Sequence, residues 1–284
     1  MTENTNPLNK YFRQAAIHIT LPSNGQYPPH VVSPTATGEY PVMPMTAKDE
    51  IKFKTPDALM NGQGVVDVIQ SCMPNIKDAW QIKSHDIDTI LIAIRIATYG
   101  ETMDLQFNVP VVNEKVTHTI NLPATLEQIK QDKIVSEIKL KDGLKFETKP
   151  LTYRDMTQTS LQTFQQQKMY TTVQNSDISD EEKVKRFDES FKALTELNSK
   201  VLLKNISKII TPEGTEVADP VQIKEFVDNA NATLITELQD ALAVVRTQGS
   251  VKPLKLKATE DQIKKGAPAS YEVPVTFDTA NFFV

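Results

Sequence analysis

One cysteine, Cys72, stands in 284 residues. It excludes an internal disulfide and a cysteine-only metal site within one chain. There are 9 glycines, and neither a phosphate-cradling P-loop nor a dinucleotide fingerprint occurs among them. A basic excess is missing too: Lys and Arg total 31 against 36 Asp and Glu, a net charge of −5 and a pI near 5.5. Nucleic-acid binders need a basic surface to displace counterions, so no nucleic-acid partner is expected. No apolar run approaches the roughly 20 residues that span a bilayer. The longest, Ile90–Ala97, contains Arg95. The opening MTENTNPLNKYF is polar and lacks an apolar signal core, so secretion by the usual route is not expected. A hydrophobic content of 39% with 24% charge points to a folded, globular chain.

What is present divides into five stretches. Residues 1–45 read as an extended, proline-rich arm with short strands such as Ala16–Leu21, since proline removes donors and disfavours helix. The arm is either pinned on its own domain or laid across a neighbour. Residues 46–100 read as a helical core. Thr46 is placed to cap a helix with Asp49 at the third position, and Thr55-Pro56 to start another ended by Asn61-Gly62. Val65, Val66, Val68 and Ile69 suit a third helix. Ser84 is placed to cap Ser84–Tyr99, closed by Gly100. That helix carries isoleucines on several faces and should be buried on most sides.

Residues 101–151 read as antiparallel β: Met103, Leu105, Phe107 and Val109 alternate with polar residues, as do Val116, His118, Ile120 and Leu122. Ile134–Leu140 and Leu144–Leu151 form a second pair around Asp142-Gly143. Residues 152–249 read as mainly helical. Val184, Phe187, Phe191, Leu194 and Val201 fall at heptad-like spacing, with Asn198 in the a series, a seam that a helical hairpin or a short coiled coil could use, with packing onto its own domain as the favoured use. A further helix covers about 220–247. Residues 250–284 read as a C-terminal strand near Tyr271–Phe277 and a docking tail ending Phe282-Phe283-Val284. The fold class is therefore α+β: a helical N-terminal half, a small antiparallel sheet after Gly100, a long helical hairpin and a C-terminal strand.

The search for chemistry finds no reagent. His85-Asp86-Ile87-Asp88 is read as the acidic first turn of a helix, favoured by its dipole, rather than as metal ligands. His18, His30, His85 and His118 are scattered without metal-ligand spacing. His118 lies on the apolar face of a strand and is read as a satisfied core residue. Cys72 is read as a buried structural thiol. No cofactor, metal or catalytic residue is assigned, and the chain is expected not to be an enzyme.

Several segments in order carry a resemblance: NPLNKYFRQAAIHITLPSNGQY, YPVMPMTAKDEIKFKTPDALMNGQGVVDVIQSCMPNIKDAW, HDIDTILIAIRIATYG and VTFDTANFF. Together they resemble the baseplate hub protein family of T-even-like contractile-tailed bacteriophages, over residues 6–122 and the last ten residues. The resemblance implies a structural or assembly role in a tail baseplate hub, within the virion, after synthesis in a host cytoplasm. It implies other baseplate or hub proteins as partners, and an oligomer within the baseplate as one possibility. Alternatives are a transient hub-assembly chaperone and a hub-associated cell-wall-degrading enzyme. The resemblance implies that many relatives carry a Cys-Pro-x-Cys turn where this chain reads Val109-Pro110-Val111-Val112, so no zinc is expected there and apolar contact should hold the turn. Tyr11, Phe12, Tyr27, Tyr40, Phe282 and Phe283 are the candidate partner-binding anchors, each with ordinary core packing as the competing reading.

Overall fold

The computed structural model describes residues 6–55, 61–174 and 178–275. The arm is pinned on its own domain. Strand β1 (Ile17–Ile19) pairs antiparallel with β2 (Tyr40–Val42), and Val31, Val32, Tyr40 and Val42 enter the first core. Helix α1 (Ala47–Phe53) has the expected capping box: Thr46 Oγ1 accepts from the Asp49 amide, and the Asp49 carboxylate accepts from the Thr46 amide. The helix read at Thr55-Pro56 lies mostly outside the described residues. Helix α2 (Gln63–Cys72) carries the expected valine face.

Helix α3 (Ser84–Tyr99) is the axis of the molecule. Its Ile90, Ile92 and Ile94 are fully buried, as its all-round apolar pattern predicts. Ile90 and Ile94 face the first core, which α1, α2 and the arm complete. Ile92 faces a second core beneath the hairpin of β3 (Thr102–Asn108) and β4 (Lys115–Asn121). One detail differs from the sequence reading: Ser84 is already helical, and Lys83 is the capping position without a side-chain bond.

Helix α4 (Leu122–Gln131) departs from the expected all-β character of 101–151. Asn121 caps it through the Ala124 amide, Pro123 suits its first turn, and Leu122, Leu126 and Ile129 seal the second core. Beyond it, β5 (Glu137–Lys139) and β6 (Lys145–Thr148) turn at Gly143, whose φ is +90°. They join β7 (Ile206–Ile210) and β8 (Glu216–Val217) in a four-stranded antiparallel sheet. Helices α7 (Pro220–Asn229) and α8 (Ala232–Arg246) cover this sheet in a third core around Phe146 and Leu238. The helix expected over 220–247 is thus two, broken where Asn231 caps the second. Strands β9 (Leu254–Lys257) and β10 (Ser270–Val273), with the short α9 (Glu260–Lys264) between them, form the last hairpin.

Candidate docking surfaces

β6 and β7 are sheet neighbours, yet the chain between them makes a long excursion. It rises as α5 (Tyr153–Gln174) and returns as α6 (Asp180–Asn205). The Lys149 amide donates to Asn205 O at 2.9 Å and closes the base. Tyr153 stacks on Trp80 with ring centroids 5.6 Å apart, and its amide donates to Ile82 O at 2.7 Å. Thr152 and Asp155 form a reciprocal cap, and Lys204 reaches Asp155 at 2.5 Å. Burial alone would raise the Asp155 carboxyl; the bonds from Lys204 and Thr152 outweigh it and hold it below the usual carboxylate range. The base is therefore rigid, and it fixes the direction of the hairpin.

Away from the base the two helices bury little. In the 22 residues of α5, only Val173 is buried, and the charged side chains are three: Arg154, Asp155 and Lys168. A helix with so few buried side chains draws little stability from packing. On α6 the seam is used unevenly. Leu197 and Val201, near the base, are buried, whereas Val184 and Phe191 are 66% and 70% exposed. Between the helices lies a groove of about 640 Å³, lined by Gln166, Tyr170, Val184, Phe187, Phe191 and Leu194 among others. Tyr170 and Phe187 both line it, ring centroids 4.6 Å apart. Gln166 Oε1 is buried there without a hydrogen-bond partner among the described residues. Along α6, Glu182 pairs with Arg186 and Asp188, which lines the groove, pairs with Lys192, both at i,i+4. Asn198 stands outside this groove, beside Leu202 and Leu242.

The six anchors read from the sequence fall into three groups. Tyr11 and Phe12 are 74% and 59% exposed at the end of a 3-10 turn (Pro7–Tyr11), with Leu8 exposed beside them. The turn is held from behind by Arg13, whose guanidinium donates to Pro44 O and Asp49 through Nη1, and to Ser71 O and Oγ through Nη2. Tyr27 and Tyr40 are packed within the chain. Tyr40 is 2% exposed in the first core. Tyr27 Oη donates to Asp86 Oδ2 and accepts from the Lys83 amide at 2.9 Å; burial first, then Asp86, pushes this phenol far up. Phe282 and Phe283 lie outside the described residues.

The acidic first turn of α3 is a clasp between chain segments. Asp86, fully buried, accepts from the Ser23 amide and from Tyr27, while Asp88 accepts from the Val251 amide at 2.9 Å. Burial holds the Asp88 carboxyl above its ordinary range. Cys72 is buried, and burial pushes its thiol up to about 12 despite Arg13 nearby; such a thiol carries almost no thiolate at neutral pH. His118 is half-buried opposite Leu105. In the β3–β4 turn Val109 is fully buried and Val112 half-buried, so apolar contact reaches that turn; Val111 is exposed with φ +71°. Among the described residues no three His, Cys, Asp or Glu side chains gather as metal ligands, and no helix is long and apolar enough to cross a membrane.

The sequence reading found the α6 half of the groove and missed Gln166 and Tyr170. The scattered Met156, Phe164, Met169 and Tyr170 of α5 make no periodic face to detect. No curated protein and no solved structure gave a significant match. The family model described as T4 bacteriophage base plate protein matches residues 14–262, from the arm into α9. The chain belongs to this family and is a T4-like phage baseplate protein of the virion tail, associating with other baseplate proteins.

Proposed function

We propose that the chain is a structural, non-enzymatic component of the baseplate hub, working by holding fixed surfaces out to several neighbours. One observation carries this reading: a helical hairpin clamped at its base by β6, β7 and Trp80 leaves its far half almost unburied, with an apolar groove open between the helices. Rigid presentation of buried-core chemistry to solvent is what an interaction arm needs. The exposed Leu8, Tyr11 and Phe12, bolted down by Arg13, offer a second surface of the same kind. The test is quantitative mass spectrometry of purified particles against a tail protein of known copy number. A fixed small-integer ratio supports a lasting component.

A second reading, favoured by the open groove alone, is an assembly chaperone that shields a partner's apolar surface and leaves. Presence in infected-cell lysate with absence from particles would establish it and sink the first. Either role is one of association and needs no synthesis site other than the host cytoplasm.

A further inference from the structure

We infer that Asn24 is a self-modification site: its carboxamide closes onto the Gly25 nitrogen, loses ammonia, and leaves aspartate or isoaspartate in the arm. Two asparagines of the chain precede glycine, Asn24 and Asn61. Glycine has no side chain to shield its nitrogen or restrict its backbone, so cyclisation is least hindered there. The step balances with water alone. The Gly25 nitrogen gives its proton to solvent and attacks Asn24 Cγ. The Cγ–Nδ2 bond breaks, and ammonia leaves with a proton from water. Water then opens the cyclic imide at either carbonyl. Opening at the side-chain carbonyl gives aspartate; opening at the main-chain carbonyl gives isoaspartate, which adds one carbon to the main chain.

The fold separates the two asparagines. Asn24 is exposed, with φ +53°, in a turn closed by the Gln26 amide donating to Ser23 O at 3.2 Å. Neither its carboxamide nor the Gly25 amide makes a hydrogen bond among the described residues, so no bond must break before they meet. Asn61 is held. Its Oδ1 accepts from the Gln63 amide at 3.0 Å, and Gly62 is buried at the start of α2. Bringing that carboxamide onto the Gly62 nitrogen breaks the bond and disturbs the first turn of the helix. Gly25 is itself imposed by packing. Its φ is +66°, and a Cβ there would overlap the hydroxyl of Tyr40, whose ring is fixed in the first core.

The turn lies between fastenings of the arm. The Ser23 amide and Tyr27 Oη both donate to Asp86, and Gln26 O accepts from Lys83 Nζ at 3.0 Å. An extra main-chain carbon at position 24 displaces Ser23 relative to Tyr27, so conversion to isoaspartate loosens the arm from α3.

The test is peptide mass spectrometry of the folded, full-length chain held in mildly alkaline buffer, with enzymatic methylation marking isoaspartate. Asn24 should convert at least about tenfold faster than Asn61, a barrier difference of about 1.4 kcal/mol. In guanidinium the two identical dipeptides should convert at similar rates, because the fold makes the difference. The aged chain should lose roughly 2–4 °C in Tm. Asn24→Gly takes the positive φ freely and should age without that loss. An Asn24 that converts no faster than Asn61 in the folded chain would overturn the site. So would an Asn24 that stays intact while the unfolded chain loses its own. A chain rich in isoaspartate at position 24 with unchanged Tm would overturn the loosening of the arm.

Discussion

Arg13 Nη1 lies 3.1 Å from Asp49 Oδ2, the same carboxylate oxygen that caps α1 through the Thr46 amide. One acid thus holds both the start of a helix and the arm that crosses it. The guanidinium spends its other donors on Pro44 O and on Ser71, joining three segments far apart in sequence.

Arg13→Ala should cost about 2–3 kcal/mol, because Asp49 is largely buried and loses its charged partner. Arg13→Lys should recover less than half of this, since an ammonium cannot fork between Asp49 and Ser71. Urea unfolding measures both. Burial raises the Asp49 carboxyl, but the Thr46 bonds and Arg13 outweigh it and leave it below its ordinary value. Its contribution is therefore present above the unfolded value of about 3.9 and is lost as pH falls through the lower folded value. The Arg13→Ala chain should show a shallower acid slope in that window.

Asp86→Ala should destabilise more than Tyr27→Phe. The first change leaves the Ser23 amide and the Tyr27 hydroxyl buried without an acceptor, about 3 kcal/mol in all. The second leaves Asp86 one donor and strips the Lys83 amide of its acceptor, about 1–2 kcal/mol. Thermal melts that place Tyr27→Phe below Asp86→Ala would contradict the clasp.

His85 gives the molecule a mild acid sensitivity. Burial holds its imidazole below the ordinary value; Asp86, 3.7 Å away, pulls it up and Lys83 pushes it down. The unfolded chain therefore takes up the proton first. Stability is full above about pH 6.5 and falls as pH drops toward the lower folded value, by at most about 1.4 kcal/mol per pH unit from this group. His85→Gln should flatten that part of the profile of urea midpoints against pH. An unchanged slope would remove His85 as its source.

Val111 pays for the tightness of its turn with a φ of +71°, a region where a β-branched residue is strained. Its side chain is 73% exposed, so little packing is lost on its removal. Val111→Gly should raise stability by about 1 kcal/mol, seen as a rise of roughly 2–4 °C in Tm. A fall in Tm would mean that the Val111 methyls, near Gly266, hold the turn against α9.

Local chemistry decided much of this structure. The Thr46–Asp49 cap, the Gly100 stop with φ +97°, the alternation across β3 and β4, and the burial of α3 on most sides all follow from short-range spacing and were legible in order. The seam on α6 was legible too. Tertiary structure decided where local signals were silent or conflicting. Leu122 ends a strand-like alternation and also begins α4; only the second core, which needs Leu126 and Ile129 beneath the hairpin, resolves it. β7 follows a long helix with no break signal, and its place comes from pairing with β6 some sixty residues earlier. The arm's tyrosines illustrate the same limit. Tyr11, Phe12, Tyr27 and Tyr40 are alike in sequence, yet the pairing of β1 with β2 and the buried Asp86 draw Tyr40 and Tyr27 inward, while Arg13 holds Tyr11 and Phe12 outward. An apolar side chain carries the same free energy of transfer wherever it stands; whether its own chain or a neighbour covers it is settled only by contacts between residues distant in sequence.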